Sequence, residues 1–315
     1  MGRFYKDYAD FLAERFEGKM QKLTVNAGFS CPNRDGTIGR GGCVYCNNSS
    51  FSPNLAGGAG FSASKMSVSQ QLEAGKHFFE RKYPQMRYLA YFQSYTNTHG
   101  DIGRLMELYW EALSVDKVVG LIIGTRPDCV DDRLLGELAA IGKPVIMEYG
   151  AESSHDDTLK AVNRCHTWAQ TADAVERTVA AGLPVGLHFI MGLPGETREM
   201  MMQTVERAAS LPIDTIKLHQ LQVIKDTVLA REMGVSDDGR MMFRGLPLHI
   251  FSVEEYVGLC VDIVMAMCRM NGNIAIERFT SQAPADLLIA PRWGLKNYEF
   301  TNLLNRELEL RNKKS

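Results

Sequence analysis

The sequence has 315 residues, and 45% of them are hydrophobic, which is enough for a sizeable core in one large domain or two small ones. Its 35 Lys and Arg nearly balance 37 Asp and Glu. It therefore lacks the basic surplus typical of nucleic-acid-binding proteins, although a basic patch confined to part of the surface is an alternative. Residues 1–8 contain no apolar run and no stretch of about 18 apolar residues occurs, so we expect neither a signal peptide nor a membrane span. Seven cysteines without a secretory signal favour a reducing, cytoplasmic compartment over a disulfide framework.

Short helices and strands alternate through most of the chain. An amphipathic pattern over residues 4–19 predicts a first helix, residues 22–26 a first strand, and the Gly/Ala/Ser-rich residues 52–63 a loop. Further helices are predicted at 67–83, 101–113, 131–141, 155–181, 196–209 and 252–271. The apolar strands predicted after them span 88–92, 118–124, 144–149, 185–190, 214–219 and 273–277.

This alternation predicts an α/β fold, with a parallel sheet of seven strands and helices outside it. A partial or complete (β/α) barrel fits that strand count and places the chemistry at the carboxyl ends of the strands. A doubly wound open sheet is the alternative, although no G-x-G-x-x-G motif follows the first strand. We expect one domain over residues 1–315, with a core barrel at about 20–250 and a C-terminal extension at about 251–315.

Three cysteines, Cys31, Cys43 and Cys46, lie in one polar, Gly-rich loop. The last two form a C-x-x-C pair, whose spacing lets two thiolates face one metal centre. A structural zinc site needs four protein ligands, but the next Cys is Cys129 and the first His is His77. Three thiolates instead suit an iron–sulfur cluster that leaves one iron free for a substrate. A zinc knuckle and reduced loop thiols are the alternatives.

The residues around these cysteines carry a family resemblance. The stretch AGFSCPNRDGT at 27–37, followed by GGCVYCNNSSF at 41–51, resembles the radical S-adenosylmethionine (SAM) enzymes with a long gap before C-x-x-C. It looks like the YhcC/YtqA-type subgroup, which is related to the elongator-type catalytic subunit that modifies tRNA. The resemblance implies that the three cysteines hold a [4Fe–4S] cluster and that SAM occupies the fourth iron. Reductive cleavage of SAM would then give a 5′-deoxyadenosyl radical, which takes a hydrogen atom from the substrate.

The resemblance extends over roughly residues 20–300 and implies SAM contacts at several strand ends. FQSYTNT at 92–98 occupies the place of Phe-Gly-Gly-Gly-Thr-Pro-Thr in relatives, so carbonyls near Gln93 and Ser94 would meet the ammonium group of SAM. EYGAESS at 148–154 matches Glu-x-Gly-x-Gln-Ser. The cofactor-binding residues implied there are Glu148, Glu152 and Ser153. An ordinary polar turn at 92–98 and a buried acid satisfied by backbone at Glu148 are the alternatives.

Three further SAM contacts follow from the resemblance. Arg164 lies twelve residues after Glu152, the interval at which relatives carry an Arg that pairs with the carboxylate of SAM. His188 stands where some relatives have an Asp on the ribose, and Gly192, in GLPGET, would let the backbone approach the adenosyl group. The alternatives are that Arg164 forms a surface ion pair and that His188 is a barrel histidine whose hydrogen bonds are made within the protein.

Substrate contacts are expected from the last strands and from the C-terminal extension, which the resemblance places near the barrel mouth. Lys217 and Arg278 are candidate catalytic residues that could hold an anionic group, and Cys165, in place of a common Gly, could donate a hydrogen atom. His219 and Gln220 are also expected to line the cavity. The alternative is that they lie at a strand end exposed to solvent. A nucleobase and phosphate could be held by Arg292, Trp293 and Lys296, unless this rim only covers the barrel.

The resemblance implies a radical SAM enzyme that acts on tRNA. The expected reaction remodels the side chain at carbon 5 of wobble uridine from a carboxymethylaminomethyl group toward an aminomethyl group. A small-molecule or peptide substrate is the alternative that the near-neutral charge favours, and a non-catalytic iron–sulfur or SAM-binding regulator is a third. An electron donor such as flavodoxin or ferredoxin is expected. No second C-x-x-C exists, which argues against an auxiliary cluster.

Overall fold

A computed structural model of the protein describes residues 4–47 and 66–313, and the loop predicted at 52–63 lies outside these ranges. The strands are β1 (Met20–Val25), β2 (Arg87–Phe92), β3 (Val118–Thr125), β4 (Val145–Glu152), β5 (Val185–Met191), β6 (Thr215–Gln220), β7 (Val223–Ile224), β8 (Met233–Val235), β9 (Met241–Phe243), β10 (Leu246–Pro247), β11 (Ala275–Arg278) and β12 (Leu288–Ala290). The helices are α1 (Tyr8–Ala13), α2 (Pro32–Asp35), α3 (Val68–Glu80), α4 (Ile102–Leu113), α5 (Asp132–Ala139), α6 (Asp156–Ala161), α7 (Trp168–Ala180), α8 (Arg198–Ala209), α9 (Val228–Glu232), α10 (Val253–Asn271) and α11 (Asn297–Asn312).

One sheet of seven strands organises the fold, in the order β1-β2-β3-β4-β5-β6-β11. Every neighbouring pair in this sheet is parallel. The strand order follows the chain order without a reversal, so the doubly wound alternative is wrong. The sheet curls into a partial barrel, and the predicted α/β barrel with seven parallel strands is confirmed.

The open side of the barrel lies between β1 and β11, and we call it the seam. Within the described ranges, each of these two strands has one hydrogen-bonded neighbour in the sheet. The N-terminal segment covers the seam, because Asp7 bridges to Ile276 and α1 packs against β11. Inside the barrel, Lys22 Nζ of β1 lies 2.7 Å from Glu277 Oε2 of β11. An ion pair therefore connects the first and last strands of the sheet.

The strands are apolar because both faces of the sheet are covered. In β3, the pattern VVGLIIGT has all but one residue buried. Leu121 and Ile123 face the main core under the outer helices, whereas Ile122 belongs to a smaller cluster inside the barrel. Phe11 of α1 joins that inner cluster. The interior near α1 is therefore filled by side chains, which leaves the carboxyl ends of the strands for a site.

The helix predicted at 155–181 is two helices, α6 and α7. Asn163 and Cys165 between them have φ values of 54° and 60°, which an α-helix does not allow. The side chain of Thr167 then caps the start of α7. Because of this break, Arg164 turns back toward the cysteine loop instead of lying on a helix surface.

The remaining predicted helices agree with the structure to within a few residues, except the first. The helix predicted at 4–19 is limited to α1, because a capping box between Asp7 and Asp10 fixes its start. The short strands β7, β8, β9, β10 and β12 were not predicted. They form a three-stranded antiparallel sheet and a two-stranded pair. Among the helices that the structure describes, none combines the length and the apolar character needed to span a bilayer.

Candidate active site

A cavity of about 210 Å³ opens at the carboxyl ends of the strands, the position that the barrel fold predicts. Strands β2 to β6 and β11 all contribute side chains or backbone to its wall. The sequence-predicted residues that line the cavity are Cys31, Cys43, Cys46, Gln93, Glu148, Glu152, Arg164, His188, His219, Gln220 and Arg278. The sequence-predicted residues that lie outside this lining are Ser94, Ser153, Cys165, Gly192 and Lys217.

The cysteine loop, residues 31–46, forms one wall of the cavity. Cys31 is the N-cap of α2 and Pro32 is its first residue, so the helix starts directly after the first thiol. A Cβ on Gly42 would lie 2.8 Å from Arg34 Nε, so glycine permits the close approach of the loop to itself. Among the described residues, none of these three cysteines is joined in a disulfide; Cys43 is buried, and Cys31 and Cys46 are half-buried.

The donor set at this wall fits a [4Fe–4S] cluster with one open iron. Thiolates are the ligands of such clusters, and the lining residues that the structure describes supply three of them. Arg34, Arg126 and Arg164 line the same cavity, so guanidinium charge is available to balance thiolate charge. Burial and the neighbouring Cys43 raise the pKa of the Cys46 thiol to about 11, so ligation has to displace its proton. In the described part of the chain, no three Cys, His, Asp or Glu side chains converge as in a single-ion site.

Arg164 links the cysteine loop to the end of β4. Its Nη1 lies 3.8 Å from Cys43 Sγ, and its Nη2 donates to the carbonyl of Gly150 at 2.5 Å. Glu152 Oε1 is 3.6 Å from the same Nη2. The Nε of Arg164 is buried and has no acceptor among the described residues. Arg164 lines the cavity, so a cation of the cavity wall has one N–H group without an acceptor in the described part of the chain.

Glu148 is part of a buried ion-pair cluster formed by Lys22, Glu148, Lys217 and Glu277. Glu148 accepts from Lys22 Nζ at 2.9 Å and from Lys217 Nζ at 2.8 Å. Glu277 lies 2.7 Å from Lys22 Nζ and 2.8 Å from Lys217 Nζ. Burial would raise the pKa of Glu148, but the two ammonium groups outweigh it and hold that pKa well below its usual range. Two cations and two anions therefore compensate each other, and Lys217 does not face the cavity.

His188, His219 and Arg278 form the cavity wall next to this cluster. His188 Nε2 lies 2.8 Å from Glu148 Oε2, and its ring centroid is 5.8 Å from that of His219. Arg278 Nη2 is 3.3 Å from His219 Nδ1. Burial lowers the pKa values of both histidines, so neutral imidazoles face the cavity. Arg278 forms no ion pair with a described residue, and its Nε is buried without an acceptor.

Three residues predicted to contact SAM, and one predicted to donate a hydrogen atom, lie outside the cavity lining. The hydroxyl of Ser153 donates to Glu196, and the hydroxyl of Ser94 is buried without a partner among the described residues. Gly192 has a φ of 89°, and a Cβ there would lie 2.8 Å from the ring of Phe251. Packing of the turn after β5 thus explains this glycine. Cys165 lies behind the cysteine loop.

Arg126 is a cavity residue that sequence analysis missed. It follows β3, is 2% exposed, and pairs with Asp128 through Nε at 2.9 Å and Nη2 at 2.8 Å. Its Nη2 also donates to the carbonyl of Arg164, whereas its Nη1 is buried without an acceptor in the described ranges. The signal in the sequence was an Arg directly after a buried strand and two residues before an Asp.

The residues of the C-terminal rim that were expected to bind a nucleobase and phosphate jointly do not lie at one site. Trp293 stacks on Phe300, with centroids 5.9 Å apart and ring planes 8° apart, and it lines a second cavity of about 390 Å³ with Arg292. This cavity shares Gln220 with the first one. Lys296 caps the start of α11 and lines neither cavity. Among these predicted cations, Arg278 is the one that reaches the cavity beside the cysteines.

Comparison with known proteins identifies the family. Residues 33–208 match the family model described as the radical SAM superfamily, and residues 213–310 match that of a Radical_SAM C-terminal domain. Protein YhcC of Escherichia coli (strain K12) is 36% identical over 285 residues, which cover 90% of this chain and 85% of YhcC. Uncharacterized protein YtqA of Bacillus subtilis (strain 168) is 32% identical, over 95% of this chain and 88% of YtqA. The resemblance drawn from the cysteine loop is confirmed.

A tRNA uridine(34) acetyltransferase of Methanocaldococcus infernus is 28% identical over 116 residues, which are 36% of this chain and 22% of that protein. The solved structure of archaeal Methanocaldococcus infernus Elp3 with an N-terminal deletion superposes with a TM-score of 0.66 at 16% identity. It covers 94% of this chain and 64% of that one, and at this identity the likeness shows the shared fold. The chain belongs to the radical SAM superfamily, enzymes that use a [4Fe–4S] cluster and SAM, and to the group within it that contains YhcC and YtqA.

Proposed function

We propose that this radical SAM enzyme modifies tRNA, by remodelling the side chain at carbon 5 of wobble uridine from a carboxymethylaminomethyl toward an aminomethyl group. The similarity of part of the chain to a protein named as a tRNA uridine(34) acetyltransferase supports tRNA as the substrate class. The proposal that the reacting group carries a carboxylate depends on Arg278. It is a cation in the cavity without an ion-pair partner among the described residues, and a substrate carboxylate would supply that partner.

In this proposal, Cys31, Cys43 and Cys46 hold the cluster. When bound, the cluster would supply the electron that cleaves SAM, which is the oxidant of the substrate. The CH₂ group next to the substrate carboxylate would lose a hydrogen atom to SAM's adenosyl carbon, and then an electron to the cluster and a proton, to give an imine. Water would hydrolyse this imine, releasing the two-carbon unit as glyoxylate and leaving the aminomethyl group. A flavodoxin or a ferredoxin is the proposed source of the electron that cleaves SAM. The cysteine loop and Arg278 line the same cavity, so the cluster, SAM and a side chain held by Arg278 would share one site.

SAM would be held by the other residues of the cavity wall. Two buried N–H groups without acceptors, Arg164 Nε and Arg126 Nη1, are suited to its carboxylate. Backbone carbonyls near Gln93 and the carboxylate of Glu152 are suited to its ammonium group. Glu148 and Lys217 act in this proposal through His188, whose ring they position, rather than by touching SAM or substrate.

Nucleoside mass spectrometry of total tRNA tests the proposal, in cells with and without the gene, grown with and without oxygen. We expect one wobble-uridine derivative to disappear and its carboxymethylaminomethyl precursor to accumulate. Complementation with Arg278→Gln should fail, whereas Arg104→Gln, at a 64% exposed arginine on α4 outside the cavity, should restore the derivative. Identical profiles with and without the gene would refute a tRNA substrate.

A small-molecule or peptide substrate is the second candidate, and the net charge of −2 favours it because tRNA-binding proteins usually carry a basic surplus. Addition of tRNA to the reconstituted enzyme separates the two candidates. A tRNA substrate should increase the rate of SAM cleavage, whereas a small-molecule enzyme should cleave SAM at the same rate with or without tRNA. Cleavage should then respond to metabolite or peptide fractions instead.

A further inference from the structure

The sulfur of Cys43 receives two side-chain N–H groups from different parts of the chain. Asn33 Nδ2, on α2, and Arg164 Nη1, between α6 and α7, each lie 3.8 Å from Cys43 Sγ. Asn33 is 0% exposed and Arg164 is 7% exposed, so water does not compete for these contacts. Resemblance to the family assigns neither residue to the cluster ligands.

The orientation of the Asn33 amide is fixed by two neighbours. Its Nδ2 lies 2.5 Å from the carbonyl oxygen of Asn163, which can only accept, so the NH₂ end of the amide faces Cys43. The thiol of Cys165 donates to Asn33 Oδ1 at 3.2 Å from the other side. A Cβ on Gly39 would lie 2.3 Å from the same Oδ1, so glycine is required for this packing.

We propose that Asn33 and Arg164 set the reduction potential of the cluster through Cys43, and that Cys165 is a positioning residue that orients the Asn33 amide. Reduction adds one negative charge to the cluster and its thiolates. N–H donors to a ligating sulfur stabilise that charge and make the potential less negative, and buried donors do so most effectively. The positive φ values of Asn163 and Cys165 support this arrangement, because they bring both residues against α2.

An EPR-monitored redox titration of the reconstituted protein without SAM tests this proposal. Asn33→Leu keeps the shape of the side chain and removes its donor. We expect its midpoint potential to be more negative, by a change on the order of tenfold in the one-electron equilibrium, which is about 59 mV. Iron content per protein, measured on the same samples, shows whether the cluster is complete.

Cys165 provides a matched pair of variants. Cys165→Ser still donates to Asn33 Oδ1 and should keep the wild-type potential, whereas Cys165→Ala should shift it in the direction of Asn33→Leu. Cys268→Ser replaces an exposed cysteine on α10 and should change nothing. Equal potentials in wild type, Asn33→Leu and Cys165→Ala at full iron content would overturn the proposal.

If Asn33→Leu does not assemble a cluster, Arg164→Lys and the Cys165 pair decide the question. Arg164→Lys keeps the charge and removes the Nη1 donor, so its potential should also become more negative. A potential unchanged in Arg164→Lys, together with equal potentials in Cys165→Ser and Cys165→Ala, would refute a tuning role. None of these readouts depends on tRNA, so the proposal on substrate can fail while this one stands.

Discussion

Replacement of Lys217 by Met removes one cation from the buried ion-pair cluster. Lys217 Nζ lies 2.8 Å from both Glu148 Oε2 and Glu277 Oε1, and its side chain is 3% exposed. In the variant, Lys22 alone faces two carboxylates, so one buried negative charge loses its compensation. Breaking a buried pair in this way costs about 3–5 kcal/mol of unfolding free energy, because the remaining charge stays desolvated.

Anaerobic urea unfolding of the cluster-free protein measures this cost. We expect Lys217→Met to lower the midpoint strongly at an unchanged slope. The matched control is Glu107→Gln, which breaks the pair between Arg104 and Glu107, whose side chains are 64% and 68% exposed. That change should cost roughly 0–1 kcal/mol. A Lys217→Met protein as stable as wild type would refute the view that Lys217 is structural.

The same variant should show a pH dependence through His188. Lys217 helps to lower the pKa of His188, while Glu148 raises it. Burial is the main cause of the lowered His188 pKa and remains in the variant, so without Lys217 the folded-state pKa of His188 rises toward its unfolded value. The variant then loses less stability than wild type as the pH falls below about 6.5. The stability deficit relative to wild type should therefore be larger at pH 8 than at pH 6.

Three further substitutions test single sites. Cys43→Ala should abolish cluster assembly and SAM cleavage, measured by iron content and by formation of 5′-deoxyadenosine; full cleavage would contradict the ligand assignment. Arg164→Ala should weaken SAM binding by about tenfold, or about 1.4 kcal/mol, in equilibrium dialysis while iron content is retained, whereas unchanged affinity would remove Arg164 from the SAM site. Gly192→Ala should cost about 1–3 kcal/mol in urea unfolding because its φ is 89° and Phe251 blocks a Cβ. The control Gly136→Ala, in the open on α5, should be neutral or stabilising.

The parts of the fold that depend on local sequence were predictable. Apolar runs alternating with amphipathic stretches gave the seven strands of the main sheet, because a parallel sheet buried on both faces needs such runs. The three cysteines were found because their spacing and the glycines around them are local as well. The same holds for Arg164, whose interval from Glu152 is a property of one segment.

The parts that depend on distant contacts were not predictable. Glu148 was identified as an acid that needs a partner, but its partners Lys22 and Lys217 come from strands 126 and 69 residues away. The break between α6 and α7 depends on docking of Asn163 and Cys165 against α2, so a helical pattern through 155–181 concealed it. Arg126 has a weak local signal, its place between a buried strand and Asp128, but its contact with the carbonyl of Arg164 depends on the fold.

The seam between β1 and β11 has a consequence for the order in which the protein can mature during synthesis. Lys22 is translated 255 residues before Glu277, which follows the other six strands of the sheet. Until then, Lys22 and Lys217 share a single carboxylate, Glu148. The nascent barrel thus carries an excess positive charge in its interior, which disfavours early collapse. Charge compensation inside the barrel therefore waits for β11, the strand that brings the second acid.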